Sequence, residues 1–253
     1  MALGLMVKRY GAGLIPVVGL FICIFQFIAF LVMKHRLPES AVLSSTEDQK
    51  ASSLGLFIVE NPAFTVLLLG TALLFFAHNA ISNFLINIVR NVGGDVETMG
   101  FMNAFMAIVE LPIMFFYQPL FGKRDPSRLL KTAFIFFTLK ILGITLVGSV
   151  PALYASMLLQ APSFALYSTA IVPYVDRAIQ YKDSAKAQSL AFSVTTVGSV
   201  AASMVCGYLF DLQGVRSTLW VACAVCALGT LISITGISLS ENNTARRAEK
   251  HRP

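Results

Sequence analysis

Runs of about twenty apolar residues with no polar face recur along this chain, and they fix its solvent before anything else is considered. A bilayer core about 30 Å thick is crossed by roughly 20 helical residues at about 1.5 Å each. Seven segments meet that length: 12–33, 63–89, 99–121, 129–148, 152–175, 188–210 and 217–239. None alternates in polarity, as the roughly ten-residue strands of a membrane barrel must. The sequence therefore predicts an all-α, polytopic membrane helix bundle of seven spans, in contact with the lipid bilayer. Composition excludes a soluble globule, since 56% of the 253 residues are hydrophobic and only 13% charged.

A net charge of +6 ordinarily raises nucleic acid as a partner, but here the basic residues cluster between the apolar runs. That pattern follows the positive-inside rule, and no nucleic acid is expected. The linker after the first span, the loop between the third and fourth, the loop between the fifth and sixth and the tail together hold fourteen Lys and Arg. The opposite side holds four: Lys8, Arg9, Arg90 and Arg216. The C-terminus is thus expected in the cytoplasm, the N-terminus outside, and the protein in a plasma or inner membrane. Lys8 and Arg9 before the first run imitate a signal peptide. That run, however, exceeds the roughly 7–15 residues of a secretory core and ends on Lys34-His35-Arg36, so a retained span is expected.

Residues 34–62 form the only long polar connection and read as a cytoplasmic linker. Gly4 and Gly11 before the first span recur as Gly207 and Gly214 before the seventh, each shifted by 203 residues. If the spans correspond, residues 1–33 end an N-terminal repeat, 63–240 form a C-terminal six-helix bundle, and 241–253 are a cytoplasmic tail. The chain would then be a half-transporter or fragment that needs a missing N-terminal half or a second copy. Cys23, Cys206, Cys223 and Cys226 all lie in spans and are expected to act as small apolar residues. No metal site or cofactor is expected.

Charges inside a bilayer call for a reason. Glu110 lies eleven residues before the inner end of the third span, and Lys140 eleven residues after the inner end of the fourth. Both fall about 16 Å from the cytoplasmic boundary, near the midplane, on neighbouring spans that can bring them together. A carboxylate and an ammonium there form either a structural ion pair or a proton-coupling site. In the second span Asn79, Asn83 and Asn87 share one face, with His78 and Ser82 on its edge. They read as cavity-lining groups or as interhelical hydrogen-bond glue. Gln160, Ser163, Tyr167 and Tyr174 share a face of the fifth span whose mixed chemistry suits a sugar-like solute, interfacial packing being the plainer reading. The candidate solute-binding residues are accordingly His78, Asn79, Asn83, Gln160, Ser163 and Tyr167.

Pro112, Pro119, Pro162 and Pro173 free carbonyls in these helices and suggest moving gates. Gly198, Ala202 and Cys206 make a small-residue surface for close packing in the sixth span.

Four stretches carry a family resemblance. These are Glu110-Leu111-Pro112-Ile113-Met114-Phe115-Phe116, Thr138-Leu139-Lys140-Ile141-Leu142-Gly143, the segment from Gln160 to Pro173, and Ala187-Gln188-Ser189-Leu190. In this order the chain resembles the C-terminal half of a major facilitator superfamily transporter, in the branch of lactose permease-like and nucleoside permease-like proton symporters. The resemblance implies alternating access, a small polar solute, and proton coupling near Glu110 and Lys140. Lys140 stands where the sugar symporters carry arginine, and Gln160 and Ser163 stand where they carry a histidine and a carboxylate. Gly122-Lys123-Arg124-Asp125 is a degraded form of the superfamily's loop signature.

The function expected is therefore secondary active transport of a sugar, nucleoside or similar solute, with a proton, by alternating access. The alternatives are an inactive truncated fragment, a seven-span receptor or retinal protein, and a membrane enzyme. A retinal protein usually carries its lysine in the last span, whereas Lys140 is in the fourth. One Glu, one Lys and one His do not assemble a catalytic set, so no enzymatic activity is expected.

Overall fold

A computed structural model of the chain describes residues 20–21, 23–29, 31–32 and 53–250, with side chains described up to 242. Two units divide between Ala51 and Ser52. The described residues of the first unit are helical and fall inside the first predicted span. Most of the predicted linker, and the Gly4 and Gly11 pair, lie outside the described residues.

The second unit is built from helices, with no strand among its described residues. In order they are α1 (Leu54–Glu60), α2 (Pro62–Asn83), α3 (Leu85–Asn91), α4 (Val96–Phe121), α5 (Pro126–Leu146) and α6 (Val150–Met157). A π-helical turn (Ala161–Ala165) leads into α7 (Leu166–Ala178), and a long run, Tyr181–Lys250, follows. Among the described residues five stretches are long and apolar enough to cross a membrane, the last of them Tyr181–Asn242. At about 1.5 Å per residue those 62 residues measure about 93 Å, three times a bilayer core, so they cannot be one crossing. Gly214 resolves this: its φ of 76° and ψ of 177° lie in a region essentially reserved for glycine. It separates α8 (181–213) from α9 (215–250), and the unit therefore supplies six crossings.

Polar residues set the ends of the elements. Asp95 starts α4 by accepting from the Thr98 amide at 2.8 Å and the Thr98 hydroxyl at 2.7 Å, bonds that hold its carboxyl below the usual carboxylate range. Asp125 caps α5, with Pro126 as the first helical residue. Ser53 caps α1, so the end of the stretch expected as linker is helical. The second predicted span breaks at Phe84, where φ is −110° and ψ 22°. Just before it, Asn79 donates to the Phe75 carbonyl at 2.8 Å and Ser82 to that of His78 at 3.2 Å, and such back-bonding bends helices. Pro112, Pro119 and Pro173 lie within continuous helices, and of the four interruptions expected from proline only Pro162 marks an irregular turn.

Lipid is as apolar as leucine, so these helices associate by close packing. α2 is the hub. A Cβ added at Gly198 of α8 would lie 2.8 Å from the Ala72 carbonyl oxygen of α2, and one at Gly229 of α9 would lie 2.8 Å from that of Gly70. Ala202 and Cys206 are fully buried on the small-residue surface expected for α8. Because backbone and not side chain stands in the way, Gly229→Ala is expected to destabilise the bundle by about 1–3 kcal/mol. Gly100→Ala, which would meet nothing within 4 Å, should leave it unchanged or slightly stabilised. Thermal unfolding of the purified protein in detergent distinguishes the two.

Candidate functional site

Four elements each send one polar side chain into the middle of the second unit. α5 contributes Lys140, 1% exposed, and α2 contributes His78, 8% exposed. Gln160, 5% exposed, stands at the entry to the π-helical turn, and α4 contributes the half-buried Glu110. Together they form a chain. Gln160 donates through Nε2 to Glu110 Oε1 at 2.7 Å, and its Oε1 accepts from Lys140 Nζ at 2.8 Å. Lys140 Nζ also lies 2.9 Å from His78 Nδ1.

Glu110 and Lys140 are thus joined through an amide, not in the direct contact their matching depths allow. No ion pair between them occurs among the described residues. The reason lies in the fifth predicted span, which runs from α6 into α7. Pro162 has no N–H to donate, and the helix widens to a π turn from Ala161 to Ala165. Gln160, immediately before that turn, fills the space between the two charges. An ammonium has three donors and no acceptor, so a buried Lys140 must be surrounded by acceptors. Gln160 Oε1 and His78 Nδ1 supply two, and the face of Phe137, 5.0 Å from Nζ, supplies a third favourable contact.

Aromatic rings fix the buried end of the chain. Phe164 stacks on His78 with centroids 5.2 Å apart and planes at 16°, while Phe75 and Phe137 meet the ring edge-on. Tyr167 packs against Phe75, Phe134 and Phe137, and its buried hydroxyl has no hydrogen-bond partner. Sequence reasoning passed over these phenylalanines, which look like any other apolar core residue. The one available signal was the spacing of Phe75 and His78, three residues apart and hence on one helical face.

The other candidates are placed differently. Asn79 donates to its own helix, and Asn83 donates to Ser203 of α8 at 2.9 Å on the exposed side of the unit. Ser163 is fully buried and donates from its hydroxyl to the Leu159 carbonyl at 2.6 Å, which also takes the Ser163 amide at 3.1 Å. Lys131 pairs with Glu241 and Arg177 with Asp125 at the helix ends near the basic loops. The Lys131 pair is partly buried and the Arg177 pair exposed, and the exposed one adds little stability. No group of His, Cys, Asp or Glu suited to a metal ion occurs among the described residues, and the cysteines are unpaired.

Compared with known protein families, the chain matches the MFS_1 like family over residues 1–235. No curated protein matches it.

Proposed function

The chain belongs to the MFS_1 like family of the major facilitator superfamily and is a multi-pass membrane transporter, and from that premise we propose that it moves a small polar solute together with a proton. The observation that carries this reading is the hydrogen-bonded chain from the half-buried Glu110 to the buried Lys140 and His78. A purely apolar bundle would pack as well without it, and a buried charge is seldom the cheapest way to hold helices together. A carboxylate at the accessible end, linked to a fixed ammonium, is a group that takes a proton from one side and releases it to the other as its surroundings change.

His78, Asn79, Asn83, Gln160 and Ser163 each have a protein partner, so solute contacts draw on their remaining hydrogen-bonding capacity, on the unpartnered Tyr167 hydroxyl and on the free oxygen of Glu110. Sugars and nucleosides, the solutes of the lactose and nucleoside permease-like branch, offer the hydroxyls and flat apolar faces that suit such groups. A second six-helix bundle, from a missing half or another copy, covers the exposed face of α4. Supporting this, only Met102 and Tyr117 are buried along the 26 residues of α4, the helix that carries Glu110.

The test is uptake by proteoliposomes holding the full chain, with its partner bundle where one is found, against a panel of radiolabelled sugars and nucleosides under an imposed pH gradient. One solute is expected to accumulate above equilibrium and to lose that excess when a protonophore is added. Equilibration without accumulation would leave a facilitator and overturn the proton-coupled reading.

A further inference from the structure

The short helix α1 does not continue the axis of α2. In an unbroken helix residues 58 and 65 stand about 10 Å apart along the axis. Here the Thr65 hydroxyl lies 3.2 Å from the Ile58 carbonyl oxygen and 3.1 Å from that of Asn61. The chain therefore turns at Asn61, where φ is −121° and ψ 59°, and Pro62 opens α2. One side of α1 is fastened to the bundle. Phe57 is fully buried against Phe64, their rings edge to face with centroids 6.0 Å apart. Lys186 of α8, paired with Asp183 at 2.9 Å, holds its ammonium 5.6 Å from the Phe57 ring centroid. Because Lys186 belongs to one of the basic clusters between the apolar runs, α1 lies at the basic end of the bundle.

The other side of α1 is apolar and uncovered. Leu54, Leu56, Ile58 and Val59 are 53%, 50%, 40% and 75% exposed, and the only charge in the helix is Glu60, its last residue. Val59 stands nearly opposite Phe57 on the helical wheel, so the most exposed side chain points straight away from the bundle. Depth decides what meets it. The 22 residues of α2 measure about 33 Å, which matches a bilayer core of about 30 Å and puts their first turn at the edge of the hydrocarbon. The bond from Thr65 sets the Ile58 carbonyl level with that first turn, within about 5 Å of where the crossing begins. Interfacial helices lie at that level, with their apolar face about 5–10 Å into the boundary. The surface continues inward, since Leu69, one turn beyond Thr65 on the same face of α2, is 61% exposed.

We infer that α1 is an interfacial anchor, lying along the bilayer surface at the basic end with Leu56, Ile58 and Val59 among the first carbons of the acyl chains. Phe57 and Lys186 fasten the anchor to the starts of α2 and α8, so the segment entering the bundle is held by protein on one side and by lipid on the other. Glu60, next to the turn at Asn61, reaches the headgroups. The partner is the leaflet itself and not one lipid species: α1 has no basic residue with which to choose a headgroup, and its apolar face takes the chains of any phospholipid. The inference rests on membrane crossing alone. It stands or falls apart from the solute and the proton.

The test needs no substitution. The full chain is reconstituted into vesicles of phosphatidylcholine and phosphatidylglycerol that include a phospholipid with a diazirine near the carbonyl end of its acyl chain. After illumination the protein is digested and its adducts are mapped by mass spectrometry, with a water-soluble diazirine used in a parallel sample. Lipid adducts are expected within 54–60, at Leu56, Ile58 and Val59 and not at the buried Phe57, alongside those on exposed leucines of the crossings such as Leu228 and Leu231. The water-soluble reagent should leave those three residues unmodified. Modification of them by the water-soluble reagent in place of the lipid would put this face in water. Modification by neither, while the crossings are labelled by lipid, would put protein over it, from the preceding chain or a second bundle. Either result overturns the inference.

Discussion

Glu110→Gln is expected to abolish accumulation of the solute while sparing its exchange across the membrane. The substituted amide oxygen can still accept from Gln160 Nε2, the bond that Glu110 makes at 2.7 Å, so the local geometry survives. What is lost is the group that takes up the proton. With one proton per solute, a gradient of one pH unit supports about tenfold accumulation, since about 1.4 kcal/mol is a factor of ten. That excess should fall to none, whereas counterflow of labelled against unlabelled solute at equal pH persists. Parallel measurement of the two modes separates this from a structural ion-pair role, in which both would fall together.

Lys140→Met is expected to remove both modes. Lys140 is 1% exposed and is the one residue of the chain bonded to both Gln160 and His78. Without it two buried acceptors lose their donor, at about 1–3 kcal/mol each, and Glu110 loses the positive charge that offsets its own. A loss of about 3 kcal/mol in the occluded state is about a hundredfold in transport. The protein itself should still fold, at a lowered melting temperature, because methionine fills a similar volume and the half-buried Glu110 keeps its bond from Gln160. Arginine should not rescue it. The guanidinium is larger and forked, and the space is closed by Phe137 on one side and the His78 ring on the other. Counterflow and thermal unfolding, measured on the same preparation, report the two effects separately.

Much of this arrangement was legible in the residues. The apolar runs gave the crossings because helix length against bilayer thickness leaves little freedom, and the structure supplies six of the seven among its described residues. The depth of Glu110 and Lys140 followed from the same rise per residue. Their separation by Gln160 did not, because it depends on a π-helical turn that adds a residue's worth of rotation just where Pro162 interrupts the backbone. Regular 3.6-residue spacing cannot anticipate that shift. The asparagine stripe divides: Asn83 bonds across to Ser203 of α8, the interhelical alternative, whereas Asn79 turns back to the Phe75 carbonyl of its own helix, a local bond that spacing alone does not disclose. The hub role of α2 was half visible. The surface with Gly198, Ala202 and Cys206 was apparent in α8, whereas Gly229 and Gly236 of α9 are spaced seven apart and meet the backbone of α2 just as closely.

The claim at the centre of this account is that solute and proton cross together because Glu110 is linked through Gln160 to Lys140. It is tested most directly by solute-driven proton entry, followed with a pH-sensitive dye trapped in proteoliposomes. Addition of the transported solute, with no imposed gradient, should acidify the lumen in the parent protein. In Glu110→Gln it should equilibrate the solute without moving a proton. Proton entry that accompanies the solute undiminished in Glu110→Gln would contradict the account.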